Sequence, residues 1–440
     1  MRLLNATTYE FREFQHRPTR PKYAILSHRW FPQEITFATI EPVELQDENR
    51  ITPQLSKIRN TCLRAREDKL EWVWIDSCCI NKESSEEVTR SINAMFKWYQ
   101  EAAVCYTYLS DVTVGKTRVF KRADSEDSEW FERGWTLQEL IAPRTMKFFD
   151  ANWVPIGTRA QLAAEIQHIT GIEARFLDGS EQFRSASIAT RLSWQSRRKT
   201  TEEEDIAYSL VGIMGVSLVP IYGEGRQAFL KLQQELLKTY RDESIFAWTA
   251  PPSRLPKHDR QWDQGEWGLL APWIDCFQDS GDVVVIANRK GFSNRMKDRP
   301  AGGIAPIAGG VKFPMPKREL RGESIVVVVL SALTIVGIFV LLAVNSYRHS
   351  KRREWSLTLN CWKKDRFGRL RAIQVFLCRD SGGNDELFRR CRCEHLGSTE
   401  SVPSSITMGG EFTVKEVTII QPSGVWWPVI TEPLRIRSKL

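Results

Sequence analysis

Trp135 and Glu139 lie four residues apart in the segment FERGWTLQELIAPR, which spans residues 131–144. Residues four apart on an α-helix share one face, so this spacing places an indole ring beside a carboxylate. Such a pair can hold a cationic ring and its sugar, because the ring stacks on the indole and the carboxylate stabilises positive charge. The pair also has an ordinary interpretation, in which Trp135 packs in the core and Glu139 pairs with Arg133 or Arg144.

Other polar side chains follow predicted strands in the first half of the chain. Open α/β sheets bind their ligands at the carboxyl ends of parallel strands, so we expect these side chains to meet at one edge of the sheet. Simpler roles exist for some of them: Ser27 and Asp76 can be helix caps, and His28 can be a core histidine. The candidate ligand-binding residues are Ser27, His28, Arg29, Trp30, Asp76 and Trp135, and Asp111 follows the third predicted strand.

Strand and helix patterns alternate around these residues, which is typical of a parallel sheet with helices on both faces. The strands are short apolar runs, and WVWID is the kind of continuous run that is buried on both faces. A doubly wound α/β fold with added helices is therefore predicted. The predicted strands cover residues 23–27, 72–76, 103–111 and 145–150.

Helices are predicted between and after these strands. Residues 51–65 have Thr52 as a candidate N-cap. In residues 81–102, Ser84 and the glutamate three residues later form a capping box. Further helices are predicted at 159–171, at 200–215 with a capping box at Thr201 and Glu204 and a C-cap at Gly215, and at 224–242.

Composition describes a folded chain in a reducing setting. The 440 residues are 42% hydrophobic, enough for two or three domain cores. The net charge of +8 is scattered, and the basic runs at 191–199 and 348–353 are typical of solvated faces or membrane flanks, so no nucleic-acid partner is predicted. Nine irregularly spaced cysteines and the lack of an apolar signal stretch predict a cytosolic first domain.

Several common catalytic motifs are missing from the sequence. There is no phosphate-binding G-x-x-x-x-G-K-[ST] loop, no H-E-x-x-H zinc helix and no G-x-S-x-G nucleophile elbow. The cluster CRCEH at 391–395 is too closely spaced for a zinc knuckle, so no metal is predicted. The segment YGEG at 222–225 is too short to cradle a phosphate and is predicted to form a turn before a helix.

One segment differs from the globular pattern. Residues 325–344 carry no charge and would span about 30 Å as a helix, which is the thickness of a bilayer core. They predict a single transmembrane helix with the first domain in the cytosol. The alternatives are a buried β-hairpin in a cytoplasmic protein, or a gene-model artefact that joins two parts of one β domain. Basic residues flank both ends, so no orientation follows.

These patterns predict five segments along the chain. The first two are the α/β domain and a helical extension of it. A loop- and β-rich region follows, then the candidate transmembrane helix and a small β-rich C-terminal region. Their boundaries are 1–170, 171–250, 251–324, 325–344 and 345–440.

Three ordered blocks resemble a known family. YAILSHRW, WVWIDSCCINK and RGWTLQELIAP look like the signature blocks of the fungal heterokaryon-incompatibility (HET) domain, and the likeness covers about residues 20–170. The later stretch from Asp205 to Leu236 resembles the helical continuation common in that family. One departure is Phe31, which follows Trp30 where many members have glycine and which predicts a stiffer loop.

The HET family is regarded as related to the TIR domain, a flavodoxin-like fold that serves in assembly and, in many members, cleaves NAD. WTLQEL is similar to the TIR block W-C-L-x-E-L at Trp135, Leu137, Glu139 and Leu140. The resemblance implies that Glu139 is the catalytic carboxylate and that NAD is a substrate, with no cofactor required.

Two functions follow from the resemblance. In the first, the chain is a cell-death effector of non-self recognition, akin to innate immunity, whose HET domain hydrolyses NAD when assembled. In the second, the domain only self-associates and binds a protein partner of the incompatibility pathway, because one fold can host unrelated functions. A membrane anchor at residues 325–344 is compatible with both.

Overall fold

The computed structural model describes residues 1–250 apart from residue 48 and residues 116–118, then residues 269–285, residue 369 and a set of β-strands between residues 305 and 420. The described residues form two compact units. The first contains Met1–Ala186 and Arg191–Leu232, and the second contains the described parts of Ser187–Thr190 and Gln233–Leu440.

A seven-stranded mixed sheet forms the centre of the first unit. Its strands lie in the order β2-β1-β4-β3-β5-β6-β7. Four adjacent strands, β4, β3, β5 and β6, are parallel to one another. The strands are β1 (Arg2–Asn5), β2 (Phe11–Glu13), β3 (Tyr23–His28), β4 (Trp72–Trp74), β5 (Val104–Tyr108), β6 (Met146–Phe149) and β7 (Pro155–Thr158).

The four predicted strands are confirmed as this parallel centre, and the α/β class is confirmed with them. The prediction of a wholly parallel sheet is wrong at both edges, where β1 and β7 run antiparallel to β4 and β6. The chain between β6 and β7 has too few residues for a helical crossover, so β7 returns as a hairpin strand. The edge strands have only three or four residues, too few for a clear sequence pattern.

Eleven α-helices occur in the described residues, and the two firmest predictions among them are confirmed. The Thr52 hydroxyl accepts from the Leu55 N–H at 3.2 Å, and the Ser84 hydroxyl accepts from the Glu87 N–H at 3.2 Å. The helices are α1 (Pro42–Gln46), α2 (Pro53–Glu67), α3 (Asp76–Cys79), α4 (Ser85–Glu101), α5 (Thr136–Ile141), α6 (Ala163–Thr170), α7 (Ala174–Leu177), α8 (Ile188–Ser193), α9 (Asp205–Tyr208), α10 (Val211–Met214) and α11 (Gln227–Thr239).

The single helix predicted at residues 200–215 is instead two short helices, α9 and α10. The expected capping box does not form, because the Glu204 carboxylate accepts from the backbone N–H groups of Gly223 and Gly225. Gly215 ends α10 with φ of 72°, as predicted for a C-cap glycine.

Buried aromatic side chains fix the sheet against its helices. Every residue of β3 and β5 is buried, which explains their continuous apolar sequences. The Trp74 ring on β4 packs edge-on against Trp98 of α4, with centroids 5.4 Å apart. The Tyr23 hydroxyl on β3 donates to the Trp98 carbonyl at 2.6 Å. The carboxyl ends of the parallel strands are therefore held on a rigid base.

The second unit is described in part. It contains two 3₁₀-helices, Glu243–Phe246 and Ile274–Phe277, and a second sheet. Val284 forms an isolated bridge with Trp362. The strands are β8 (Ala305–Ile307), β9 (Gly310–Pro316), β10 (Glu354–Lys364), β11 (Leu370–Arg379), β12 (Leu387–Cys391), β13 (Gly397–Thr399) and β14 (Val414–Ile420).

Some predicted features lie outside the described residues. They are the candidate transmembrane segment at 325–344 and most of the CRCEH cluster. In the part of the chain that the structure describes, no helix combines the length and the apolar character that a bilayer crossing requires.

Candidate functional site

The carboxyl end of β3 brings Ser27 to Glu139 of α5. The Ser27 hydroxyl donates to Glu139 Oε2 at 2.5 Å, and it accepts from the indole N–H of Trp130 at 3.0 Å. Ser27 and Trp130 are almost fully buried, and Glu139 is 6% exposed. Ser27 and Glu139 were both predicted as site residues, and the structure brings them together. Trp130 was not predicted, because only its place in an aromatic-rich loop suggested it.

Glu139 forms no ion pair among the described residues, so the alternative in which it pairs with Arg133 or Arg144 is not found. The charges of Arg133 and of the buried Arg198 nevertheless interact with it. Burial raises the pKa of Glu139 to about 8, and the negative charge of Asp76 adds to this rise, while the Ser27 hydrogen bond and the Arg133 charge oppose it. The group is therefore mostly protonated at pH 7.

Asp76 follows β4 at the same edge of the sheet and has the opposite environment. Its Oδ1 lies 2.8 Å from His28 Nε2, and its Oδ2 accepts from the indole N–H of Trp30 at 2.9 Å. Burial alone would raise the pKa of Asp76, but His28, Lys82 and the Trp30 hydrogen bond hold it well below the usual value. Its side chain is 25% exposed, so an ionised carboxylate reaches the surface here.

A buried line of charges supports Asp76 from behind. Lys57 of α2 lies 2.8 Å from His28 Nδ1 and donates to Glu34 Oε2 at 2.5 Å. His28 Nδ1 also lies 3.1 Å from the Arg29 carbonyl oxygen, and Nε2 is the ring nitrogen that faces Asp76. Glu34 also accepts from the Phe31 N–H at 2.9 Å. His28 is therefore a central link in this line rather than an isolated core histidine.

The sequence analysis did not identify Lys57 or Glu34. Lys57 lies in α2 next to the buried Ile58, and a lysine beside an apolar stripe is usually exposed. Burial lowers the pKa of Lys57, and the Glu34 carboxylate raises it. The one sequence signal for Lys57 was its position in the buried part of a predicted helix.

Trp30 and Arg29 extend the site along the loop after β3. The Lys82 ammonium lies 3.3 Å from the centroid of the Trp30 ring, a cation–π contact. Arg29 forms an ion pair with Glu129. The backbone N–H of Glu129 donates to Asp111 at 2.8 Å, so Asp111 fixes a loop and does not face Glu139 through a hydrogen bond.

Trp135 begins α5 as its N-cap residue and is half-buried. Its indole N–H donates to Asp205 Oδ2 at 2.9 Å, and the Tyr222 hydroxyl donates to Asp205 Oδ1 at 3.0 Å. The helical spacing of Trp135 and Glu139 is confirmed, but each has its own hydrogen-bond partner. Asp205 was missed, because an acidic residue at a helix start usually serves as a cap.

Backbone N–H groups of a glycine loop hold Tyr222 in place. Glu204 Oε1 accepts from Gly223 and Gly225, both at 2.7 Å. Gly223 and Gly225 have φ of 95° and 55°, a region that glycine enters without strain. The predicted turn at YGEG is therefore a loop closed around a carboxylate.

These groups suit an organic ligand better than a metal ion. Two indole rings have fixed orientations, one ionised carboxylate is partly exposed, and one carboxyl group can change its protonation near neutral pH. Such a set can stack on a flat ring, bind sugar hydroxyls and stabilise positive charge. In the described residues, no group of three or more His, Cys, Asp or Glu side chains is arranged to hold a metal ion.

Comparison with known proteins agrees with the sequence blocks. The chain is 40% identical over 264 residues to "Vegetative incompatibility protein HET-E-1" of Podospora anserina, a region that covers 56% of this chain and 18% of that protein. The chain thus spans less than a fifth of the length of this curated relative. No solved structure matches the chain. Residues 23–124 match the family model "Heterokaryon incompatibility protein (HET)", so this part of the chain is identified as a HET domain.

Proposed function

We propose that this chain acts in vegetative incompatibility, as a non-self-recognition protein whose HET domain signals cell death. Support comes from the family match over residues 23–124 and from the printed function of the relative. The matched residues include Ser27, His28 and Asp76, which lie at the candidate site.

We further propose that the HET domain cleaves NAD at the edge where β3 and β4 end. The parallel strands lie in the order β4-β3-β5-β6, which corresponds to the start of a flavodoxin-like sheet of the kind found in TIR domains. In such sheets the ligand crevice lies where the strand order reverses, here between β3 and β5. Ser27 and His28 are the last two residues of β3.

The observation that carries this proposal is the pair of carboxyl groups with opposite protonation at one edge. Environments that separate two pKa values in this way are typical of acid–base sites. The bond between nicotinamide and the ribose breaks and nicotinamide leaves with the bonding electrons. Water then adds to the sugar and releases a proton. Asp76 supplies constant negative charge to the developing cation, and ionised Glu139 accepts the water proton or binds the ribose hydroxyls.

The test is NAD consumption and nicotinamide release by the full chain under crowded conditions. Glu139→Gln keeps the size and the acceptor for Ser27 but cannot ionise, so we expect a loss of at least about 100-fold in rate. Glu165→Gln changes an exposed carboxylate on α6 and should leave the rate unchanged. Because the ionised form is required, the wild-type rate should rise with pH through about 8. Equal rates for the wild type and Glu139→Gln would refute the catalytic assignment.

A second candidate is a signalling module that self-associates and binds a protein partner without catalysis. The low exposure of Glu139, 6%, favours it, because a substrate would have to reach a nearly closed carboxyl group. Self-association with incompatibility signalling in a folded Glu139→Gln chain that consumes no NAD would support this candidate. In either case we propose that residues 325–344 anchor the chain, and an unchanged membrane fraction after their deletion would refute the anchor.

A further inference from the structure

The half-buried ring of Trp30 already carries a cation of the same chain. Lys82 places its ammonium 3.3 Å from the ring centroid. The Trp30 indole N–H is bound to Asp76 Oδ2, so the ring cannot turn away without losing that hydrogen bond. A ring held in one orientation presents one defined face to a positively charged group.

Negative charge lies near this ring. Asp76 is ionised and accepts from the indole N–H, so it lies at the edge of the ring. Asp205 and Glu34 are further carboxylates close enough to act on the Lys82 charge, while the Arg133 charge opposes them, and Asp205 is itself held by Trp135 and Tyr222. An aromatic ring near several acidic groups is an arrangement that selects positive charge in preference to a neutral ring.

The bonding of Lys82 differs from that of Lys57, the other lysine near this edge. Lys57 is buried and donates to Glu34, so its place is fixed by an ion pair. Lys82 is exposed and contacts the Trp30 ring. Among the described residues it forms no ion pair. The Lys82 ammonium is held by its cation–π contact with the Trp30 ring, so a cation that binds this ring more strongly can displace it.

We propose that the Trp30 face is a binding site for a planar organic cation of the pyridinium class, and that Lys82 occupies it in the unliganded chain as a tethered competitor. This inference rests on the proposed NAD cleavage, since the nicotinamide of NAD is such a cation. Lys82 keeps the face filled until substrate arrives, and it sets the substrate concentration that the site requires.

The experiment measures binding of 1-methylnicotinamide, a pyridinium cation, and of neutral nicotinamide to the full chain by calorimetry. Lys82→Gln removes the competing charge and should bind the cation about three- to fivefold more tightly, with a smaller gain for neutral nicotinamide. Lys97→Gln removes an exposed lysine of α4 and serves as the charge-matched control with unchanged binding. In a Trp30→Leu background, Lys82→Gln should have no effect, because the shared ring is gone.

Each outcome separates this inference from the proposed function. Equal or weaker cation binding by Lys82→Gln, or the same gain from Lys97→Gln, overturns the role of Lys82. NAD cleavage by Lys82→Gln with an unchanged KM also overturns the role of Lys82, but the proposed reaction then stands. Tighter cation binding without NAD cleavage supports the site and overturns the reaction. Failure of every variant to bind the cation overturns the site itself.

Discussion

Asp76 and Glu139 lie at the same edge of the sheet, yet their surroundings give them opposite charges. Asp76 is supported by His28, with Lys57 behind it, and it receives an indole N–H. Glu139 accepts from the Ser27 hydroxyl, lies near the Tyr99 hydroxyl and lies beside the negative charge of Asp76. These partners do not offset the burial of Glu139, whereas His28, Lys82 and the Trp30 hydrogen bond offset the burial of Asp76. The pair shows that partners, rather than position in the fold, decide the protonation state.

The largest expected effect is on the free energy of unfolding and concerns Glu139, the protonated carboxyl group. A carboxyl group whose pKa rises from 4.5 to about 8 on folding contributes stability below pH 4.5, and this stability is lost as the pH rises through 8. Glu139→Gln removes that loss, so the variant should be more stable than the wild type at pH 8 by about 3–5 kcal/mol. Urea unfolding at pH 5 and pH 8 measures the difference, and an equal pH dependence in both proteins would contradict the raised pKa.

A smaller effect of opposite sign is expected for the charged member. Asp76→Asn removes the carboxylate that faces His28 and the Trp30 indole N–H and should lower the free energy of unfolding at pH 7 by about 1–3 kcal/mol, a range reduced for its partial exposure. Since the pKa of Asp76 is depressed, the contribution is present above pH 3.8 and disappears as the pH falls below it. Asp124→Asn, which breaks an exposed ion pair with Arg122, is the control that should change stability little. A cost equal to that of the control would remove the contrast between the two carboxyl groups.

The smallest effect concerns a third carboxyl group, Asp205, which accepts from two neutral donors and forms no ion pair among the described residues. Burial raises its pKa, while Trp135 and Tyr222 lower it. Tyr222→Phe removes one of the two donors and should cost about 0.5–1.5 kcal/mol of unfolding free energy. It should also raise the pKa of Asp205 further, measurable by NMR titration of the carboxyl carbon. A lower pKa in the variant would show that the hydroxyl does not stabilise the charge.

Local patterns were sufficient for the centre of the fold. The runs at β3, β4, β5 and β6 are long and apolar, and α2 and α4 carry capping residues, so each element is specified by its own neighbours in sequence. The strands β1, β2 and β7 are short and owe their existence to pairing with distant strands, which no local pattern records.

Only the candidate site residues that lie at strand ends or within the family blocks could be predicted from the sequence. Ser27, Asp76 and Glu139 follow from those signals. Their partners do not, because Trp130 and Ser27 are 103 residues apart and Lys57 and His28 are 29 apart. Such contacts arise from packing, and burial of a lysine in particular opposes the usual expectation for that residue.

The hydrogen bond from Ser27 to Glu139 joins residues 112 positions apart in the chain. At a synthesis rate of about 5–20 residues per second, roughly 6–22 s pass between the emergence of the two residues from the ribosome. During that interval β3 has been made and α5 has not, so a nascent chain cannot assemble the proposed centre. Under the proposed function, the chain is therefore inert at this centre while it is being made, and it becomes competent only after the segment beyond the family match has folded onto the sheet.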